Sequence, residues 1–324
     1  MSIGHAAPQE LGPPWAGLDG LLARVGNTPL VRLRSVTKGA VADSVELWVK
    51  LEHYNPGGSV KDRAALSMVL EAEASGRLRP GMEILDSSSG NTGIAYGLIA
   101  AVRGYTLTLC LPSNANAERK ATLRAYGVNI VETDPLEGSD GAIRKARELF
   151  AAEPERYVYL DQYGNDANWQ AHFRSTGPEI WRDTGGRVTH FAATLGTSGT
   201  FMGTARYLKS RDPRIQCVSL QPDSPFHGLE GTKHMESAIV PPIYDPSLAD
   251  LDLGVPTEES IELVRRLARE EGILCGISSG AAVWGALEIG RQLDQGVVVA
   301  VLPDSGERYL SEAHVFGVGH RGHR

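Results

Sequence analysis

The sequence predicts an α/β protein made of two open, twisted, mostly parallel sheets with helices on both faces. Three observations predict it. Several short runs, such as 297–302, are continuous Val/Ile/Leu-rich stretches, as parallel strands covered on both faces are. Helical patterns lie between these runs, and such alternation implies right-handed βαβ units. Gly/Ser-rich loops stand at several strand-to-helix junctions, beyond the carboxyl ends of strands, where such sheets bind ligands.

In chain order the β-rich runs are 47–52, 82–86, 105–111, 128–132, 157–160, 188–195, 215–220 and 297–302. Helical spacing appears at 60–75, 94–103, 117–126, 139–152, 168–184, 200–210, 258–271 and 281–293. There is no internal repeat, low-complexity tract or long charge run. The expected division is a smaller unit over 47–160 and a larger one over 1–46 and 161–324, facing each other across a cleft.

With 324 residues, 42% of them apolar, the chain has ample material for a core. Its formal charge of −7 lacks the basic face that a nucleic-acid binder needs, though a local pocket for one phosphate stays compatible. No apolar run approaches the roughly 18–20 residues of a membrane span. The first twenty residues lack a basic then apolar signal pattern and read as a loosely ordered arm; 317–324 read as a frayed tail. Cys110, Cys217 and Cys275 are too widely spaced for a disulfide framework and read as buried small hydrophobes in a reducing cytoplasm. The nine histidines form no H-x-x-x-H or Cys/His cluster, so no metal site is expected.

Four loops carry polar groups at ligand-binding positions. The first is Asn55-Pro56-Gly57-Gly58-Ser59-Val60-Lys61-Asp62-Arg63. A lysine in the first turn of a helix opposes the helix dipole. It is either a solvated surface residue or one that reaches into a cleft to form a Schiff base with an aldehyde cofactor. The second, Ser87-Ser88-Ser89-Gly90-Asn91-Thr92-Gly93, offers free N–H groups and short hydroxyls to a carboxylate-sized anion, or is an ordinary capped turn. The third, Gly196-Thr197-Ser198-Gly199-Thr200, has glycines for close backbone approach and hydroxyls at a helix start, as a phosphate cup requires. It contains neither a dinucleotide nor a P-loop fingerprint. The fourth is Leu302-Pro303-Asp304-Ser305-Gly306-Glu307-Arg308-Tyr309, where Ser305 either meets the cleft or forms a turn.

Taken in order, N-P-G-G-S-V-K-D-R, S-S-G-N-T-G, G-T-S-G-T, G-I-S-S-G-A-A and S-G-E-R-Y-L closely resemble the cysteine synthase (O-acetylserine sulfhydrylase) family of fold-type II pyridoxal-phosphate enzymes. Cystathionine β-synthase is a near relative. The resemblance spans about 26–310, and Tyr163-Gly164-Asn165 after Gln162 looks more like the cysteine synthase B type. It implies that Lys61 is the Schiff-base lysine and that Asn91 bonds the ring oxygen of pyridoxal 5'-phosphate. Gly196 to Thr200 would hold the phosphate, and Ser305 would face the pyridine nitrogen. Ser88, Ser89, Asn91, Thr92 and Gln162 would hold the substrate carboxylate. Ser88 stands where the family usually has Thr, which keeps the hydroxyl. The implied reaction is β-replacement of O-acetylserine by sulfide, in a cytoplasmic homodimer, with serine acetyltransferase a candidate partner.

Alternatives on the same scaffold are cystathionine synthesis, cysteine desulfhydration and use of O-phosphoserine; another is a non-catalytic binding protein. The loop 226–234 has no arginine, and Asp223 and Glu230 would repel a phosphate. Lys233 and His234 are its only cationic candidates, so O-acetylserine is the expected donor.

Overall fold

The computed structural model describes residues 12–317. The chain enters through β1 (Leu30–Arg32) and β2 (Val45–Leu51), then α1 (Lys61–Ala74). It alternates through β3 (Glu83–Ser87), α2 (Asn91–Arg103), β4 (Thr106–Pro112), α3 (Ala117–Ala125), β5 (Asn129–Thr133), α4 (Gly138–Ala152) and β6 (Tyr157–Tyr159). Two helices, α5 (Asp166–Arg174) and α6 (Thr176–Asp183), lead to β7 (His190–Thr194), α7 (Gly199–Arg211) and β8 (Gln216–Pro222). The last elements are β9 (Leu251–Val255), α8 (Thr257–Arg266), α9 (Ile277–Arg291), β10 (Gly296–Leu302) and the single turn α10 (Ala313–Phe316).

These strands make a six-stranded sheet, β1-β2-β10-β7-β8-β9, and a four-stranded sheet, β5-β4-β3-β6. Every pairing is parallel except β1 with β2. The central strands are rich in apolar residues on both faces because successive side chains feed different cores. On β10, Val298, Ala300 and Leu302 enter a core with α8 and α9, while Val297, Val299 and Val301 enter one with α6 and α7. On β4, Leu107, Leu109 and Leu111 pack with α1 and α2, while Cys110 faces α4.

The eight strand runs read from the sequence are strands, shifted by at most two residues. β1 and β9 were not legible: both are edge strands, and in β9 only Val255 is buried. The helix expected at 168–184 is two helices that break at Ser175 (φ −135°, ψ −68°). Pro178 has no N–H to give and is accommodated in the first turn of α6 instead of a helix interior. The arm expected over 1–20 lies outside the described residues up to residue 11, and the tail outside them from 318. Within the arm Trp15 is 4% exposed, packs in the core of the smaller sheet, and donates from Nε1 to Val25 O at 2.8 Å.

All four strands of the smaller sheet lie between 83 and 159, whereas β2 is hydrogen-bonded to β1 and β10 in the larger one. Helix α1 leaves the larger sheet and packs in the core of the smaller. Lys61, its first residue, therefore stands at the junction of the two sheets. No helix among the described residues is long and apolar enough to cross a membrane.

Candidate active site

The loop before Lys61 is tied to the end of β10. Val60 N donates to Pro303 O at 2.8 Å, and Ser59 pairs with Asp304. Two residues further along α1, Arg63 is fully buried between Glu52 and Glu179, which fixes the first turn of the helix. Lys61 is only partly covered, and the surface it exposes lines an internal cavity. Its Nζ has neither hydrogen bond nor ion pair among the described residues. Burial pushes its pKa below the usual lysine range, and the charge of Asp304 opposes this only in part. An amine so placed favours its neutral, nucleophilic form.

The cavity, of about 230 Å³, is lined by Lys61, Ser88, Ser89, Asn91, Thr92, Gln162, Gly196 and Thr197 among others. A smaller hollow of about 50 Å³ shares Lys61, Asn91, Gly196, Glu230 and Gly231 with it and adds Thr200 and Ser278. Residues from both sheets thus converge on one lysine.

The loop after β3 is braced from within. Ser88 Oγ accepts from Gly93 N at 3.0 Å and Gly90 N at 3.3 Å. Thr92 Oγ1 donates to Gln162 Oε1 at 2.8 Å, and Gln162 Nε2 donates to Ser87 O at 2.7 Å. Behind them, burial pushes the Asp86 carboxyl up to about 7, against donors from Ser87, Tyr96 and Gln162. The Ser87 hydroxyl is buried without a partner and borders the cavity. Asn91 opens α2. Its Nδ2 donates to Asp304 Oδ2 at 2.7 Å, and its Oδ1 accepts from Arg308 Nη1.

The loop after β7 has the build of an anion cup. Ser198 is left-handed (φ 70°), and α7 starts after it with no side-chain cap, so first-turn N–H groups stay available. The Ser198 hydroxyl is buried without a partner. A Cβ on Gly196 would lie 2.4 Å from Gly231 O, and one on Gly199 2.0 Å from Asn168 Oδ1, so neither tolerates a side chain without movement. Thr197 Oγ1 accepts from Asn168 Nδ2 at 3.1 Å. An orphaned hydroxyl, free N–H groups and glycine-only walls fit a phosphate. A lysine of lowered pKa across the same cavity fits the aldehyde end of pyridoxal phosphate.

Ser305 is placed differently from its expected role. It caps the short turn Gly306–Tyr309 by accepting from Glu307 N at 3.3 Å, and it borders neither cavity. Ser278, second residue of α9, borders the inner hollow, is 6% exposed and forms no side-chain hydrogen bond among the described residues. Its motif, G-I-S-S-G-A-A, was visible in the sequence, but no local signal separates a cleft-facing serine from a capping one. Glu230 and Lys233, weighed in the sequence for the choice of donor, do line the cavity with Gly231 and Thr232, whereas His234 does not. Lys233 Nζ lies 4.8 Å from the centre of the Tyr163 ring and donates weakly to Ile239 O at 3.3 Å.

This fold and site define an enzyme of a known class: the chain belongs to the family of pyridoxal-phosphate dependent enzymes, whose model matches residues 21–304. Within it, the chain is 50% identical to the cysteine synthase of Aquifex aeolicus, over 90% of this chain and 91% of that protein. It is 47% identical to cysteine synthase B of Pseudomonas aeruginosa, over 89% and 94%. The solved cysteine synthase of Entamoeba histolytica superposes with a TM-score of 0.89 at 33% identity, covering 100% of this chain and 96% of that one.

Proposed function

We propose that this protein makes L-cysteine by replacing the acetate of O-acetyl-L-serine with sulfide. The observation that carries this is one partly covered lysine of lowered pKa with an anion cup on one side and a hydroxyl-rich loop on the other. Pyridoxal phosphate, when bound, supplies an electron sink for the electrons of the substrate Cα–H bond. Gly196, Thr197, Ser198, Gly199 and Thr200 hold its phosphate through backbone N–H groups and hydroxyls. Asn91 offers the second hydrogen of its Nδ2 to the ring oxygen, its amide orientation set by Asp304 and Arg308. Ser278 is the hydroxyl we assign to the pyridine nitrogen in place of Ser305. A neutral hydroxyl there would leave the ring a weaker electron sink than a carboxylate would, which would favour elimination over transamination.

Ser88, Ser89, Thr92 and Gln162, with the N–H groups of their loop, take the substrate carboxylate without a buried arginine. Lys61 Nζ would hold the cofactor and, as a free amine, would take the substrate Cα proton as general base when acetate leaves and give it back once sulfide has added to the β-carbon. The same reading makes the protein a cytoplasmic homodimer with serine acetyltransferase as a candidate partner, on the strength of the family resemblance. Light scattering on the protein alone and mixed with the acetyltransferase tests both. The decisive assay of function is cysteine formation by purified, cofactor-loaded protein from O-acetylserine and sulfide. A protein that binds pyridoxal phosphate but forms no cysteine would overturn the reading.

A further inference from the structure

A buried histidine to which the reaction assigns no role lies under the phosphate cup. His172, on α5, is 1% exposed. Its Nδ1 stands 2.9 Å from Thr176 Oγ1 and its Nε2 3.3 Å from Thr200 Oγ1. The break between α5 and α6 sets Thr176 against one ring nitrogen. The packing of α5 on α7 sets Thr200 against the other, and it needs Gly203, where a Cβ would lie 2.7 Å from His172 Cβ.

We propose that His172 is a positioning residue for the cofactor phosphate. It keeps its proton on Nε2 and donates it to Thr200 Oγ1, so that the Thr200 hydroxyl hydrogen is left to point at the anion. The inference rests on the reading of residues 196–200 as the phosphate cup.

Two arguments fix the direction of the chain. A neutral imidazole has one donor and one acceptor nitrogen. His172 is held neutral: burial, then the charge of Arg63, push it well below the usual histidine range, against the charge of Glu179. Thr176 is 0% exposed, and Nδ1 is the only side-chain hydrogen-bond partner of its hydroxyl among the described residues. If Nδ1 carried the proton, the Thr176 hydrogen would be left unsatisfied in the core, which is costly. If Nε2 were the acceptor, Thr200 would spend its only hydrogen on the ring and present lone pairs to a phosphate. Thr176 O–H to Nδ1, then Nε2–H to Thr200 Oγ1, satisfies every group and leaves one donor for the ligand.

The test uses apoprotein titrated with pyridoxal phosphate, together with the ³¹P and histidine ¹⁵N resonances of the loaded protein. Thr200→Val should weaken cofactor binding by about tenfold and shift the ³¹P resonance. If neither changes, the cup reading fails at Thr200. Given that loss, His172→Phe should weaken binding by a similar factor and add little to Thr200→Val, because both break one chain. His172→Gln, which keeps an N–H near the Nε2 position, should restore binding close to the parent. A His172→Phe protein that binds as tightly as the parent, or a Gln variant as weak as the Phe variant, overturns the role of His172. The His172 ¹⁵N signals, assigned by their loss in the Gln variant, decide independently even if the Phe variant does not fold. An Nε2–H tautomer supports the inference, and an Nδ1–H or doubly protonated ring overturns it.

Discussion

Glu179→Gln tests what holds the first turn of α1, and with it Lys61, in place. Arg63 has a side chain 0% exposed and is gripped from both sides. Glu52 accepts from its Nε at 2.7 Å and Nη2 at 2.8 Å; Glu179 accepts from Nη1 at 2.6 Å and Nη2 at 2.8 Å. Lys50 Nζ, also buried, reaches Glu179 Oε2 at 2.8 Å, and Asn27 N donates to Oε1 at 3.0 Å. Glutamine preserves the volume, but in either amide orientation its NH₂ group faces two donors, at least one of them cationic. Removing one partner of a buried pair typically costs about 3–5 kcal/mol. For a chain of this length that is a fall in melting temperature of roughly 4–7 °C.

The loss should also depend on pH. Burial alone would raise the Glu179 pKa, but the charge and hydrogen bonds of Arg63, then Lys50, pull it well below the usual carboxylate range. A carboxyl depressed in the fold adds stability that is present above its unfolded pKa of about 4.3 and fades as pH falls toward the folded value. The gap between parent and variant should therefore be full at neutral pH and narrow below about pH 4. Thermal melts followed by circular dichroism across this range measure it. A variant melting within about 1 °C of the parent at neutral pH, or a gap that does not narrow in acid, would refute the reasoning.

Lys61→Ala should lose the visible absorption of bound cofactor, its borohydride-reducible linkage and all β-replacement; a surviving linkage on another lysine with normal turnover would displace the assignment. Ser278→Ala should change the cofactor spectrum and slow β-replacement. Ser305→Ala should instead leave the spectrum alone and cost about 1 kcal/mol of stability as a lost cap; the opposite pattern would return the ring-nitrogen role to Ser305. Lys233 borders the cavity, with its pKa lowered mainly by burial. kcat/KM with saturating sulfide should favour O-acetylserine over O-phosphoserine. A phosphoserine preference of about tenfold or more, abolished by Lys233→Ala, would reverse the choice of donor and make Lys233 the phosphate reader.

The sequence by itself determined the α/β class, eight of the strands and the loops that line the cavity. These are local facts. A strand buried on both faces must be largely apolar, as 296–302 is, and a loop that meets an anion needs glycines and hydroxyls close together in the chain, as 196–200 has. Leu30–Arg32 and Leu251–Val255 escaped because they are short and mostly uncovered: the first has three residues, and in the second only Val255 is buried.

Tertiary structure alone decided which of two motif serines reaches the cavity. Ser278 and Ser305 are 27 residues apart and both sit in Gly/Ser turns. Their placements differ because the start of α9 lines the hollow, while the turn after β10 folds back on itself. The same holds for Glu179, which meets Arg63 from 116 residues away, and for His172 under Thr200 across 28. Such pairings depend on how separate elements pack, and a single buried Glu or His looks the same in sequence whether it meets a partner or not.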